Sequence, residues 1–136
     1  MEESAEVRGA MLRFYDRLTA GDVAAFDSIV SHHPATVVMG TAPGERVTER
    51  HRLRFGFEVE GVGMTAGPII AFADGDLGWV LDEPVMSFPD GSRIATPLTA
   101  VFLREAPGWR MVHMHVSVGV PDDEVLDLQA RWGTAP

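Results

Sequence analysis

The chain has 136 residues, 46% hydrophobic and 23% charged, no cysteine and a formal net charge of −9. That length suits one domain spanning residues 1–136 with a substantial core, and the missing cysteines exclude disulfides and thiol chemistry. The acidic balance argues against nucleic acid and anionic membranes, which require neutralising cations. The acidic start Met1-Glu2-Glu3-Ser4 lacks a signal peptide's apolar run, and no stretch reaches the roughly 20 apolar residues of a membrane span, so a cytoplasmic protein is expected.

Val7, Ala10, Met11, Phe14 and Leu18 recur at steps of three and four, which predicts a helix from Ser4 to Ala20. Ser4 caps its start and Gly21 suits its stop. Asp22 opens a second helix to about Val30, with Val23, Phe26, Ile29 and Val30 facing inward, and His32-His33-Pro34 ends it. Thr36–Met39 reads as a short strand and 40–44 as a loop. Thr48–Glu58 reads as a third helix, with Leu53 and Phe57 on one face and Arg50, Arg52 and Arg54 turned to water. Four strands then follow. Thr65–Ala73 ends at Asp74-Gly75-Asp76, and Leu77–Phe88 ends at the hairpin signal Pro89-Asp90-Gly91. Arg93–Arg104 is next and Trp109–Val118 is last. Pro84 and Pro97 mark bulges or edges within the middle two. Pro121 to Arg131 forms a final helix, with Val125, Leu128 and Trp132 on one side. Helices followed by an antiparallel meander make an α+β domain.

The last strand carries the most chemistry. Strict alternation puts Trp109, Met111, His113, His115 and Ser117 on one face, and Arg110, Val112, Met114 and Val116 on the other. The first row reads as the wall of a pocket. Imidazoles titrate near pH 6.5, so His113 or His115 could shuttle a proton. They could equally shape a cavity without catalysis. A metal site is a further reading of His-x-His, but it needs a third ligand from Asp82 or Glu83, and no cofactor or metal is expected. Only one of Asp82 and Glu83 can face inward, where burial would raise a carboxyl pKa. His32, His33 and His51 read as solvated surface. Met39, Met64, Met86, Met111 and Met114 read as adaptable filler.

Three signatures carry a family resemblance. They are Phe14-Tyr15-Asp16 with Gly21-Asp22 after it, the strand Ala35-Thr36-Val37, and Gly75-Asp76. With the closing Gly108-Trp109-Arg110-Met111-Val112-His113-Met114-His115-Val116-Ser117, the chain resembles the nuclear-transport-factor-2-like (NTF2-like, cystatin-like) superfamily, in its SnoaL-like branch. The resemblance implies a strongly curved, mostly antiparallel sheet wrapped on N-terminal helices into an open cone that holds a small-molecule ligand. By that analogy His113, His115 and Ser117 face the interior, with Tyr15, Thr99 and Trp79 as further ligand contacts. It also implies a homodimer through the outer sheet face, here Arg110, Val112, Met114 and Val116. The resemblance extends to the ketosteroid-isomerase-like branch, but that branch's own chemistry is not expected here. The place of its general-base aspartate is about Met39, the place of its protonated acid is near Thr99, and its tyrosine falls nearest Phe14. Two readings therefore stand. One is an isomerase, cyclase or hydrolyase acting on an apolar carbonyl compound through His113 or His115. The other is a non-catalytic ligand-binding or dimerisation module.

Overall fold

The computed structural model describes residues 1–133. Helix α1 spans Ala5–Thr19 and buries Val7, Met11, Phe14, Tyr15 and Leu18. Ser4 caps it as expected, its hydroxyl accepting the Val7 N–H at 3.1 Å. Gly21 follows with φ +65°, which only a residue without Cβ adopts freely. A two-residue strand, β1 (Glu2–Glu3), precedes the helix and pairs with Ala73 and Phe72.

The expected second helix is shorter and broken. A 3-10 turn, Val23–Ala25, leads into α2 (Phe26–Ile29), and Asp22 makes no cap because its carboxylate takes Arg17 at 3.3 Å instead. Arg50 closes the far end of α2. Its guanidinium donates to the Ser31 carbonyl at 2.8 Å, the Val30 carbonyl at 3.1 Å and Asp27 at 2.8 Å, and lies 4.8 Å over the Phe26 ring. A cation there satisfies exposed carbonyls and complements the helix dipole. Arg50 begins α3 (Arg50–Glu58), two residues later than the spacing predicts.

The remaining elements are β2 (Val37–Met39), β3 (Arg46–Val47), β4 (Gly63–Thr65), β5 (Ile70–Asp74), β6 (Leu77–Asp82), β7 (Val85–Ser87), β8 (Arg93–Ala95), β9 (Leu98–Glu105), β10 (Gly108–Val116) and α4 (Asp122–Arg131). Three predicted strands are each cut in two, at Pro68, Pro84 and Pro97. Proline offers no N–H to a ladder, so the chain leaves one sheet there and enters another. The main sheet has seven strands in the order β1-β5-β6-β9-β10-β2-β3, and the pieces released at the prolines form a second, three-stranded sheet, β4-β7-β8. All pairs are antiparallel except β2 with β10. The expected α+β architecture, helices on a curved and mostly antiparallel sheet, is the one observed.

The core lies between α1, α3 and the inner sheet face, where Phe57 meets Phe14 and Phe26 at centroid distances of 5.8 and 5.5 Å. No side chain of α4 is fully buried: Val125 and Leu128 on its expected inward side are half-buried, and Trp132 is 67% exposed. Close approach of α1 to the sheet depends on Gly78, where an added Cβ would lie 2.6 Å from Cγ2 of fully buried Val7. Gly9, on another stripe of α1, has nothing within 4 Å of such a Cβ. Gly78→Ala should therefore destabilise by about 1–3 kcal/mol through overpacking, while Gly9→Ala should stabilise by up to about 1 kcal/mol. Urea unfolding of the two variants checks both signs.

Candidate functional site

Strand β10 fixes what lines the interior. Its pairing with β9 runs Met111 with Phe102 and then His113 with Val101, so Val112 is an extra residue, a β-bulge. On β9 the even-numbered residues Leu98, Ala100 and Phe102 are buried, and face inward. His113 pairs with Val101 and His115 with Thr99, whereas Met114 pairs with Ala100 and Val116 with Leu98. Since a one-residue slip reverses every later side chain, alternation holds from Trp109 to Met111 and is inverted after Val112.

The consequence corrects the expected site. His113, His115, Thr99 and Trp79 lie on the outer face of the sheet, and Met114 and Val116 lie inside. The His113 ring is held by its Nδ1 at 2.9 Å from the Val37 carbonyl of the neighbouring strand. Trp79 stacks on Phe72 with centroids 5.9 Å apart. Thr99, His115 and Ser117 do come together, but in a shallow outer cleft of about 450 Å³ whose lining also includes Asp82 and Glu83. The outer apolar row expected from Arg110, Val112, Met114 and Val116 is corrected likewise, since Met114 and Val116 have changed sides. Among the described residues, no group of three or more His, Asp or Glu side chains is placed to hold a metal ion.

Asp82, not Glu83, faces inward, and it meets Tyr15. The Tyr15 hydroxyl donates to Asp82 Oδ2 at 2.7 Å, and the same carboxylate accepts the Gly67 N–H at 3.3 Å and the Glu83 N–H at 2.8 Å. Asp82 is only 6% exposed. Burial first, then the hydrogen bond and negative charge of Asp82, push the Tyr15 phenol well above its ordinary value. Tyr15 is thus a committed donor that bolts α1 to β6, and its hydroxyl is not turned to a ligand as the resemblance implied.

The interior is hollow. A cavity of about 300 Å³ lies between α1, α3 and the inner sheet face, walled by Phe14, Leu53, Phe57, Val38 and Val116. All five methionines of the set Met39, Met64, Met86, Met111 and Met114 reach it. Its charged residues are Glu45 and Arg52, both exposed, so charge stands at the mouth and hydrocarbon and thioether fill the depth. Arg52 is steadied by Glu49 at 3.4 Å. Histidine reasoning missed these residues. The signal that could have found them is the concentration of methionine, an unbranched and polarizable side chain suited to adaptable walls.

The model of the SnoaL-like domain matches residues 7–121. The chain belongs to the SnoaL-like domain family. Solved structures agree on the NTF2-like, cystatin-like fold. An NTF2-like protein of unknown function from Pseudomonas putida KT2440 superposes with a TM-score of 0.72 at 14% identity, covering 90% of this chain and 93% of that one. An NTF2-like superfamily protein from Salmonella enterica serovar Typhimurium LT2 gives 0.72 at 14% identity, covering 86% and 91%. The CaMKII hub of S. rosetta gives 0.71 at 20% identity, covering 88% and 98%. At such identities the likeness is one of fold alone. Comparison with curated proteins finds no match.

The Tyr15–Asp82 bolt generates a stability prediction. Tyr15→Phe removes a hydrogen bond to a charged group and should cost about 1.5–3 kcal/mol. Asp82→Ala strands the Tyr15 hydroxyl and the Gly67 N–H as well, and should cost more. Chemical denaturation of both variants checks the order.

Proposed function

We propose that this SnoaL-like domain is a non-catalytic binding module whose cone takes an apolar small molecule, with the ligand's polar end at Arg52 and Glu45. The observation that carries this reading is the lining: about 300 Å³ of Met, Phe, Val and Leu surface with charge only at the mouth. Ligand sites span roughly 300–1,000 Å³ and orient their ligands with a few polar groups, so the occupant is small. The methionine walls favour a family of shapes over one rigid partner. A proton shuttle inside the cone has no imidazole among its lining residues, which weighs against the isomerase, cyclase or hydrolyase alternative.

The anionic dye 1-anilinonaphthalene-8-sulfonate probes this reading, since it combines an apolar body with a sulfonate. Bright fluorescence and a rise in melting temperature are expected, because a ligand that binds only the folded state stabilises by mass action. Met114→Trp, which fills the cavity, should abolish both while circular dichroism stays native. Undiminished fluorescence in that variant overturns the reading.

The outer sheet face favours a second, compatible element, a homodimer. Ile70, Leu77 and Leu81 are 48, 48 and 45% exposed, and Phe72, Trp79 and Val101 lie beside them on the same face. A contiguous apolar sheet of this kind marks an interaction surface. In this reading a second copy covers it, and His113 and His115 sit at the seam between subunits. The full chain should sediment as a dimer at micromolar concentration, and Leu81→Lys should shift it to monomer without dimming the dye. Sedimentation of the unaltered chain as monomer alone at that concentration counts against the pairing.

A further inference from the structure

The cone is not the one hollow with chemistry in it, and a larger one lies on another side of α1. A groove of about 530 Å³ crosses another stripe of α1, floored by Gly9 and Arg13, with Ser28 of α2 on one side and the β9–β10 turn on the other. In a chain of net charge −9, this groove gathers Arg13, Arg104 and Arg110.

The two glutamates beside them are already engaged. Glu105 accepts the Ser31 hydroxyl on one oxygen and meets Arg110 at 3.5 Å with the other. Glu6 accepts the Trp109 indole N–H at 3.0 Å and Arg104 at 3.4 Å, both on Oε2. Arg13 differs. Its Nη2 donates to Ser28 Oγ at 2.8 Å, and the Ser28 hydroxyl in turn donates to the Ala25 carbonyl at 2.8 Å. The guanidinium is therefore anchored by a neutral acceptor and, among the described residues, pairs with no carboxylate. Its remaining N–H groups suit the fork geometry of a carboxylate or phosphate.

Two further features shape the site. The Arg104 guanidinium lies 4.4 Å from the centroid of the Trp109 ring, so the wall presents a flat cation backed by an indole. Gly9 stands mid-helix, where glycine costs about 0.5–1 kcal/mol against alanine, yet no neighbouring atom requires it. What its bare Cα provides is room over the groove floor.

We propose that this groove is a second binding site, distinct from the cone, for a small organic anion. The ligand class is a carboxylate or phosphate monoester on a flat unsaturated body. Arg13 pairs with the anionic head, and the body lies over Gly9 against the Arg104–Trp109 plane.

The test titrates the full chain with benzoate, with phenyl phosphate and with uncharged benzyl alcohol. It follows the Trp109 indole N–H resonance, which is assigned by its loss in Trp109→Phe. Both anions should shift it saturably and the alcohol should not, and added salt should weaken the effect. Arg13→Ala should weaken binding roughly tenfold or more, the loss of a charge-assisted pair. Arg13→Lys should retain part of it. Gly9→Leu should block the site while circular dichroism stays native. Absence of a saturable shift with either anion overturns the proposal. So does equal binding of the alcohol, or binding that survives both Arg13→Ala and Gly9→Leu.

Discussion

Strand β10 carries one residue more than β9 opposite Phe102, and every facing after Met111 follows from that insertion. Without Val112 in the ladder, His113 and His115 would enter the cone and Met114 and Val116 would meet solvent. With it, the interior stays free of titratable rings along this strand and the imidazoles belong to the outside. A bulge also bends its strand and increases local twist, which suits a sheet that must wrap around α1. The curvature of the wall and its chemistry thus share one cause.

A second constraint holds helix and sheet in register. Asp82 is a buried carboxylate that accepts hydrogen bonds from the Tyr15 hydroxyl and two backbone N–H groups. Such a group is affordable inside a core only when its lone pairs are taken up. It ties α1, β6 and the Gly67 turn at one point. Gly78 supplies the complementary condition by letting Val7 approach the backbone of β6. The hollow sits beyond this contact, where Phe14 and Leu18 of α1 and Phe57 of α3 splay from the sheet.

Much of the fold was legible in the residues, because periodicity reports elements directly. The stripe Val7–Met11–Phe14–Leu18, the Ser4 cap and the hairpin at Pro89-Asp90-Gly91 all lie where local physics puts them. Pro84 and Pro97 were legible as interruptions but not as exits, and Pro68 stood unmarked inside the strand expected over 65–73. Pro68, Pro84 and Pro97 move the chain between two sheets, a tertiary outcome no single strand specifies. The site was harder to read. Val112 has the composition of any ladder residue, so nothing local distinguishes a bulge from continued alternation, and one unseen insertion inverted the face of every candidate after it. Tyr15 was visible beside Phe14 on the first helix, but its partner is 67 residues away.

Both ends of the seven-stranded sheet are only two residues long, Glu2–Glu3 at one margin and Arg46–Val47 at the other. An open margin offers unpaired amides to any passing chain, and brief, charged margins frustrate that templating. Here the carboxylates of one rim and the guanidinium of the other leave little backbone to extend. Growth by strand addition into fibrils is thereby discouraged at both of these margins.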